Sequence, residues 1–139
     1  MTPQEAYEQL AFEYMELTDS NFSLQHVSDA YAAQLADAFT KPITVLFSLV
    51  DLYLRVEKGL TGRQVQHIHQ LLARRKEQWP HIALPQDRGA VTVVNVVERP
   101  EGITREAAID AWCASVWQSY RQSHPIVIQF LQERDIQIG

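Results

Sequence analysis

Cysteine is almost absent from the sequence. Its 139 residues include a single cysteine, Cys113. An intrachain disulfide and a zinc site built from several cysteines both need more than one thiol, so both are excluded. Cys113 lies between Trp112 and Ala114 within a pattern typical of a helix, which favours a buried and unreactive thiol.

Basic residues are also scarce. Twelve Lys and Arg face seventeen Asp and Glu, which gives a formal net charge of -5. Nucleic-acid binding relies on clustered positive charge, so the composition argues against a nucleic-acid partner. The one dense basic run, Arg74 to Lys76, is followed by Glu77 and closes a helical pattern. Cations are stabilised at a helix C-terminus, which favours a structural interpretation of this run.

Long hydrophobic runs are missing as well. The most apolar stretch, residues 43–56, contains Asp51 and Arg55 and is too short to cross a bilayer. The first ten residues are acidic and amphipathic, without the basic start and apolar run of a signal peptide. We therefore expect a cytoplasmic, bacterial-type protein with no membrane association.

Apolar residues that recur at helical spacing occupy most of the chain. They predict an all-α, single-domain bundle of about six helices over residues 1–139. The predicted helices cover residues 2–17, 23–39, 43–58, 61–79, 104–122 and 126–134, with a turn at 18–21. The helix at 43–58 is apolar on nearly all sides, so it is expected at the centre of the bundle.

Residues 91–97 are the ambiguous segment. Five valines in seven residues favour a strand by propensity. However, no other segment offers a partner strand, and an isolated strand leaves its backbone groups unpaired. Thr92 and Asn95 have the spacing of a helix cap, so a short helix or an extended arm is preferred over a sheet.

Asp51 is the most informative polar residue, because it interrupts the most apolar helix. An unpaired buried carboxylate is costly, so Asp51 must face a hydrogen-bond partner, a water-filled pocket or solvent. Tyr31, Gln34 and His124 are possible partners, and any functional pocket is expected to open against Asp51. A structural polar contact is preferred over a catalytic carboxylate.

The histidines give only weak indications of a site. His67 and His69 are two residues apart, so on a helix they point to different sides and do not chelate one ion together. An exposed, non-functional pair is the preferred interpretation. His26 and Asp29 have a spacing that allows a shared ligand or metal, but they lack further ligands, and His26 is expected at the surface. No phosphate-binding loop or nucleophile elbow is present.

Several short motifs, taken in order, resemble a bacterial family catalogued as domain of unknown function 5946. They are residues 29–34, 52–54, 57–60, 79–80, 91–97, Trp112, 115–117 and His124. Many members carry an N-terminal cysteine cluster and additional histidines. This sequence lacks the cluster, and Leu24, Leu35 and Ser48 stand where some of those histidines are expected. The resemblance implies a helical fold, no established activity, and loss of any metal site built from those residues.

Two functions remain open from the sequence. The leading hypothesis is a non-enzymatic module that binds a protein or small ligand and forms a homodimer through an exposed apolar helix face. The alternative is a metal-binding or hydrolase-like bundle with a pocket near Asp51. The predicted ligand-binding residues are Asp29, Tyr31, Gln34, Asp51 and His124. No cofactor or metal is predicted.

Overall fold

The structure is a computed structural model that describes residues 1–16, 22–136 and 138. Within these residues it contains helices and no strands. The α-helices are α1 (Pro3–Glu16), α2 (Ser23–Gln34), α3 (Pro42–Val56), α4 (Gly62–Ala73), α5 (Val93–Val97), α6 (Ile103–Ser119) and α7 (His124–Glu133). A short 3₁₀ helix, Arg121–Ser123, links α6 to α7. The predicted turn at 18–21 lies outside the described residues.

Helix α3 is the centre of the bundle, as its apolar sequence predicts. Its residues from Val45 to Leu54 are all buried, including Ser48 and Asp51. Helices α2, α4, α6 and α7 pack around it, while α1 packs on α2 and α5. The all-α prediction is confirmed. In the described part of the chain, no helix has both the length and the apolar character needed to cross a membrane.

Residues 93–97 form a short helix rather than a strand. The Thr92 hydroxyl accepts a hydrogen bond from the Asn95 backbone N–H, and the Asn95 side chain accepts one from the Thr92 backbone N–H. This capping box satisfies backbone donors that an isolated strand would leave unpaired. Side-chain chemistry therefore outweighs the strand propensity of the valines, and the preferred interpretation is confirmed.

Two predicted helices, 23–39 and 61–79, end at least five residues earlier than expected. Helix α2 stops at Gln34, because a turn follows in which Asp37 accepts a hydrogen bond from the Phe39 backbone N–H at 2.9 Å. Helix α4 stops at Ala73 instead of continuing toward Trp79. The chain beyond it is attached to α7 by an ion pair between Glu77 and Arg134.

Candidate functional site

Asp51 lies at the meeting point of three helices. Its side chain on α3 is buried, with 1% relative exposure. Its Oδ2 atom lies 2.7 Å from Nδ1 of His69 on α4 and accepts a longer hydrogen bond of 3.4 Å from Nε2 of Gln25 on α2. Its other oxygen, Oδ1, is buried without a hydrogen-bond partner in the described residues. One half of this carboxyl group is therefore paired and the other half is not.

A second buried acid, Asp29, lies beside Asp51. It follows Gln25 by one helical turn on α2, and the Gln25 amide donates to its Oδ2 at 3.0 Å. Gln25 thus bridges the two acids, since the same nitrogen reaches both carboxyl groups. Gln25 and His69 are half-buried, whereas both acids are buried. We call Gln25, Asp29, Asp51 and His69 the acid cluster.

Burial and mutual repulsion control the ionisation of the acid cluster. Burial raises the pKa of Asp51 to about 8, although a hydrogen bond from Asp29 opposes the rise. The pKa of Asp29 is raised well above its usual value, first by burial and then by the charge of Asp51. Burial lowers the pKa of His69, and the charge of Asp29 opposes that change. The fold therefore opposes the simultaneous ionisation of both acids.

His69 corrects two predictions. The expected exposed pair is split, because His67 is exposed while His69 is half-buried and contacts Asp51. Two residues on a helix differ in direction by about half a turn, so only one of the pair faces inward. The partner of Asp51 is consequently His69 rather than Tyr31, Gln34 or His124.

Gln34 takes part in a separate polar group on the other side of α2. Its Oε1 accepts from Nε1 of Trp112 at 2.8 Å, and its Nε2 donates to the carbonyl oxygens of Val91 at 2.7 Å and Arg88 at 3.3 Å. The Arg88 guanidinium in turn donates to the carbonyl oxygens of Ala33 and Gln34 at the end of α2. We call Gln34, Arg88, Val91 and Trp112 the Gln34 clamp. It attaches the long segment before α5 to α2 and α6.

Tyr31 and His124 are engaged in packing away from Asp51. The Tyr31 ring stacks on Tyr7 with centroids 4.2 Å apart. The His124 ring stacks on Trp117 at 3.6 Å, and its Nε2 lies 2.8 Å from the Trp117 carbonyl oxygen. Of the five predicted site residues, the structure thus brings together only Asp29 and Asp51.

His26 is buried with 3% relative exposure, so the surface position expected for it is wrong. Helix α2 presents His26 to the bundle, where its carbonyl oxygen lies 3.7 Å from the sulfur of Cys113 on α6. Cys113 is a free, buried thiol, as the sequence predicts, and burial raises its pKa. Among the described side chains, no group of three or more His, Cys, Asp or Glu is arranged to hold a metal ion.

The cavity with the largest volume that we describe, about 520 Å³, does not open against Asp51. It lies between the segment from Ala83 to Gly89 and the end of α6, and it is lined mainly by polar side chains. Gly89 comes so close to α6 that a Cβ there would meet Ser115 Oγ at 2.5 Å. The expectation that the functional pocket would be found at Asp51 is not fulfilled by this cavity.

Comparison with known proteins supplies a family but no activity. No curated protein and no solved structure matches the chain. The model of DUF5946, described as a family of unknown function, matches residues 4–121, which include α2 to α6 and every member of the acid cluster. The chain therefore belongs to the DUF5946 family of unknown function.

Proposed function

We propose that the protein is a small-ligand-binding helical domain whose ligand carries a positive charge and binds at Asp29 and Asp51. The observation that carries the proposal is the Oδ1 atom of Asp51, which is buried and has no hydrogen-bond partner within the described residues when Asp29 and Asp51 are both ionised. A buried carboxylate oxygen left unpaired costs free energy, and such groups are rare in folded proteins. A bound cation would supply the missing interaction.

The second acid supports a positive rather than a neutral ligand. Burial and the charge of Asp51 both raise the pKa of Asp29, so the protein by itself disfavours two negative charges here. A cation reverses this preference, because an opposite charge a few ångströms away stabilises the ionised form of each carboxyl group. Ligand binding at Asp29 and Asp51 would therefore compete with protons and strengthen as the pH rises.

The exposure of the other two cluster members supports access from solvent. About a third of the His69 side chain is exposed, whereas Asp51 is almost completely covered. Gln25 is also half-buried. Gln25 and His69 contact the acids through side-chain hydrogen bonds, so a rotation of either side chain would uncover the acids without separating the helices. For His69, the rotation also breaks the ring contact with Phe47.

The proposal is tested by thermal unfolding of the full chain at pH 8.5 in chloride salts of sodium, manganese, zinc and n-butylammonium at equal ionic strength. At a hundred times its Kd, a ligand that binds only the folded state raises the unfolding temperature by roughly 5 to 10 °C. We expect at least one of the other three cations to do so relative to sodium.

Two variants test whether the effect of the cation depends on Asp51. Asp51→Asn keeps the shape of the side chain and removes its charge, so the cation-dependent rise should disappear. Glu101→Gln removes one charge from an exposed residue and should leave the rise unchanged. The proposal fails if no cation raises the unfolding temperature more than sodium does, or if Asp51→Asn responds as strongly as the wild type.

A further inference from the structure

We infer that the ligand of the acid cluster is a primary ammonium group. The inference rests on the proposed function, since it assumes that a cation binds at Asp29 and Asp51. It adds the chemical class of that cation. Three features of the acid cluster carry the argument: the number of protein ligands it offers, the aromatic side chains beside it and its depth.

The first feature is the number and type of ligands. Zn²⁺ takes about four ligands and Mg²⁺ or Ca²⁺ about six or more. No three His, Cys, Asp or Glu side chains in the described chain are arranged around one such ion. An ammonium group has three N–H donors and needs only three acceptors. Asp51 Oδ1 is buried without a hydrogen-bond partner in the described residues, and Asp29 and Gln25 carry further side-chain oxygens in the same cluster.

The second feature is an aromatic wall. Phe47 precedes Asp51 by four residues on α3, so both side chains lie on the same face of that helix. The Phe47 ring packs edge to face against His69 with centroids 4.9 Å apart, and Trp79 packs on Phe47 at 5.1 Å. Aromatic rings attract organic cations through their quadrupole, whereas a hydrated divalent ion favours an all-oxygen environment.

The third feature is depth. Both acids are buried, while Gln25 and His69, which bond to them, are half-buried. Because Asp51 is covered, a ligand reaches it only if Gln25 or His69 moves, and a primary ammonium group requires less displacement than a bulkier cation. A quaternary ammonium group is wider and donates no hydrogen bond, so it is a poor match for an oxygen that lacks a donor.

Isothermal titration calorimetry on the full chain at pH 8.5 tests the inference with n-butylammonium, tetramethylammonium and Mn²⁺ as separate probes. We expect n-butylammonium to bind at one site, and tetramethylammonium to bind at least about tenfold more weakly because it forms no hydrogen bond to the carboxylate. Asp51→Asn should weaken n-butylammonium binding at least about tenfold. Phe47→Leu keeps an apolar core side chain and should weaken it roughly two- to fivefold.

The outcomes separate this inference from the function on which it rests. Binding of Mn²⁺ that depends on Asp51, without binding of n-butylammonium, supports a cation site and overturns the ammonium inference. Tetramethylammonium binding as tight as that of n-butylammonium also overturns the inference. If none of the three probes binds, the ammonium inference fails, and the proposed function fails with it when zinc does not raise the unfolding temperature either. The helical circular dichroism spectrum of each variant verifies that loss of binding is not loss of fold.

Discussion

The Gln34 clamp and the acid cluster both involve α2, yet they differ in how their polar atoms are matched. In the clamp, the Gln34 amide nitrogen meets two carbonyl oxygens and its oxygen meets the Trp112 N–H. In the acid cluster, acceptors outnumber donors when both acids are ionised: two carboxyl groups then share one Gln25 amide and one His69 ring, and Asp51 Oδ1 has no hydrogen-bond partner within the described residues. A hydrogen bond from Asp29 to Asp51 is added only when Asp29 holds a proton.

This difference separates a polar group that stabilises the fold from one that destabilises it. A buried polar group with all its hydrogen bonds formed stabilises a unique arrangement, whereas a partly satisfied one costs free energy. Sites where a sequence departs from the rules of stable folding are often functional. On this argument, Gln34 is a structural residue, and Asp29 and Asp51 are the better ligand-binding candidates.

The largest effect is expected from breaking the clamp. Gln34→Ala leaves the Trp112 N–H and the Val91 carbonyl without their partner, and each such group costs about 1 to 3 kcal/mol. We expect the free energy of unfolding in urea to fall by roughly 2 to 4 kcal/mol. Gln129→Ala is the matched control, because Gln129 is exposed and its side-chain amide donates a hydrogen bond to exposed Glu133. Equal, small losses in both variants would contradict a structural role for the clamp.

A second prediction compares two glycines, of which Gly89 lies in the segment that the clamp attaches to α2 and α6. Gly59 and Gly89 both have positive φ, at 68° and 99°, but only Gly89 lies against another helix. Gly59→Ala should cost about 1 kcal/mol for its backbone conformation alone. Gly89→Ala should cost roughly 1 to 2 kcal/mol more, because its Cβ would meet the Ser115 carbonyl oxygen at 2.9 Å. Equal losses of unfolding free energy in urea would show that the segment is not tightly packed on α6.

A substitution in the acid cluster should raise the free energy of unfolding, whereas substitutions in the clamp should lower it. The pKa of Asp51 is about 8 in the folded protein, whereas the ordinary pKa of an aspartate is 3.8. Between these two pH values the folded state therefore holds a proton that the unfolded state releases. Stability from this group is therefore present at low pH and lost as the pH rises from about 4 to about 8. Asp51→Asn should raise the free energy of unfolding at pH 8.5 by about 1 to 2 kcal/mol.

Urea denaturation of the wild type and Asp51→Asn at pH 5 and pH 8.5 measures this effect. The gain should be smaller at pH 5, where Asp51 holds its proton in the folded state. Asp110→Asn, at an exposed acid of α6 paired with Arg55, is the control for loss of one charge. A variant that is less stable than the wild type at pH 8.5 would place Asp51 with the stabilising residues of the clamp.

Much of the fold was predictable because it depends on local patterns. The Thr61 and Gln64 capping box, the Thr92 and Asn95 capping box and the apolar character of α3 are all readable within a few residues. Helix ends were less predictable. The end of α2 depends on a turn closed by Asp37, and competing turn chemistry of this kind is only weakly visible in apolar periodicity.

Only part of the candidate site was predictable, because local patterns show some of its residues and tertiary packing determines the others. Asp51 was identified because a charge stands out in an apolar helix. Its partner was missed, although a signal existed: His69 follows Val65 by four residues and precedes Leu72 by three, so it continues the inner stripe of α4. The sequence also predicts Gln34 as a possible hydrogen-bond partner of Asp51. Only tertiary packing shows that Gln34 bonds Trp112 instead.

The smallest expected effect is a change in the pKa of His69 when the charge of Asp29 is removed. Burial lowers the pKa of His69, while the Asp29 carboxylate opposes this change. Asp29→Asn removes the opposing charge, so the pKa of His69 should fall further, as followed by the NMR shift of its ring Hε1 proton between pH 4 and 8. Asp110→Asn should leave it unchanged. An unmoved His69 in Asp29→Asn would mean that Asp29 keeps its proton throughout this range. In that case Asp51 would be the acid that supplies negative charge to a cation. The acid cluster would then contain at most one ionised acid, just as the clamp contains one charged side chain, that of Arg88.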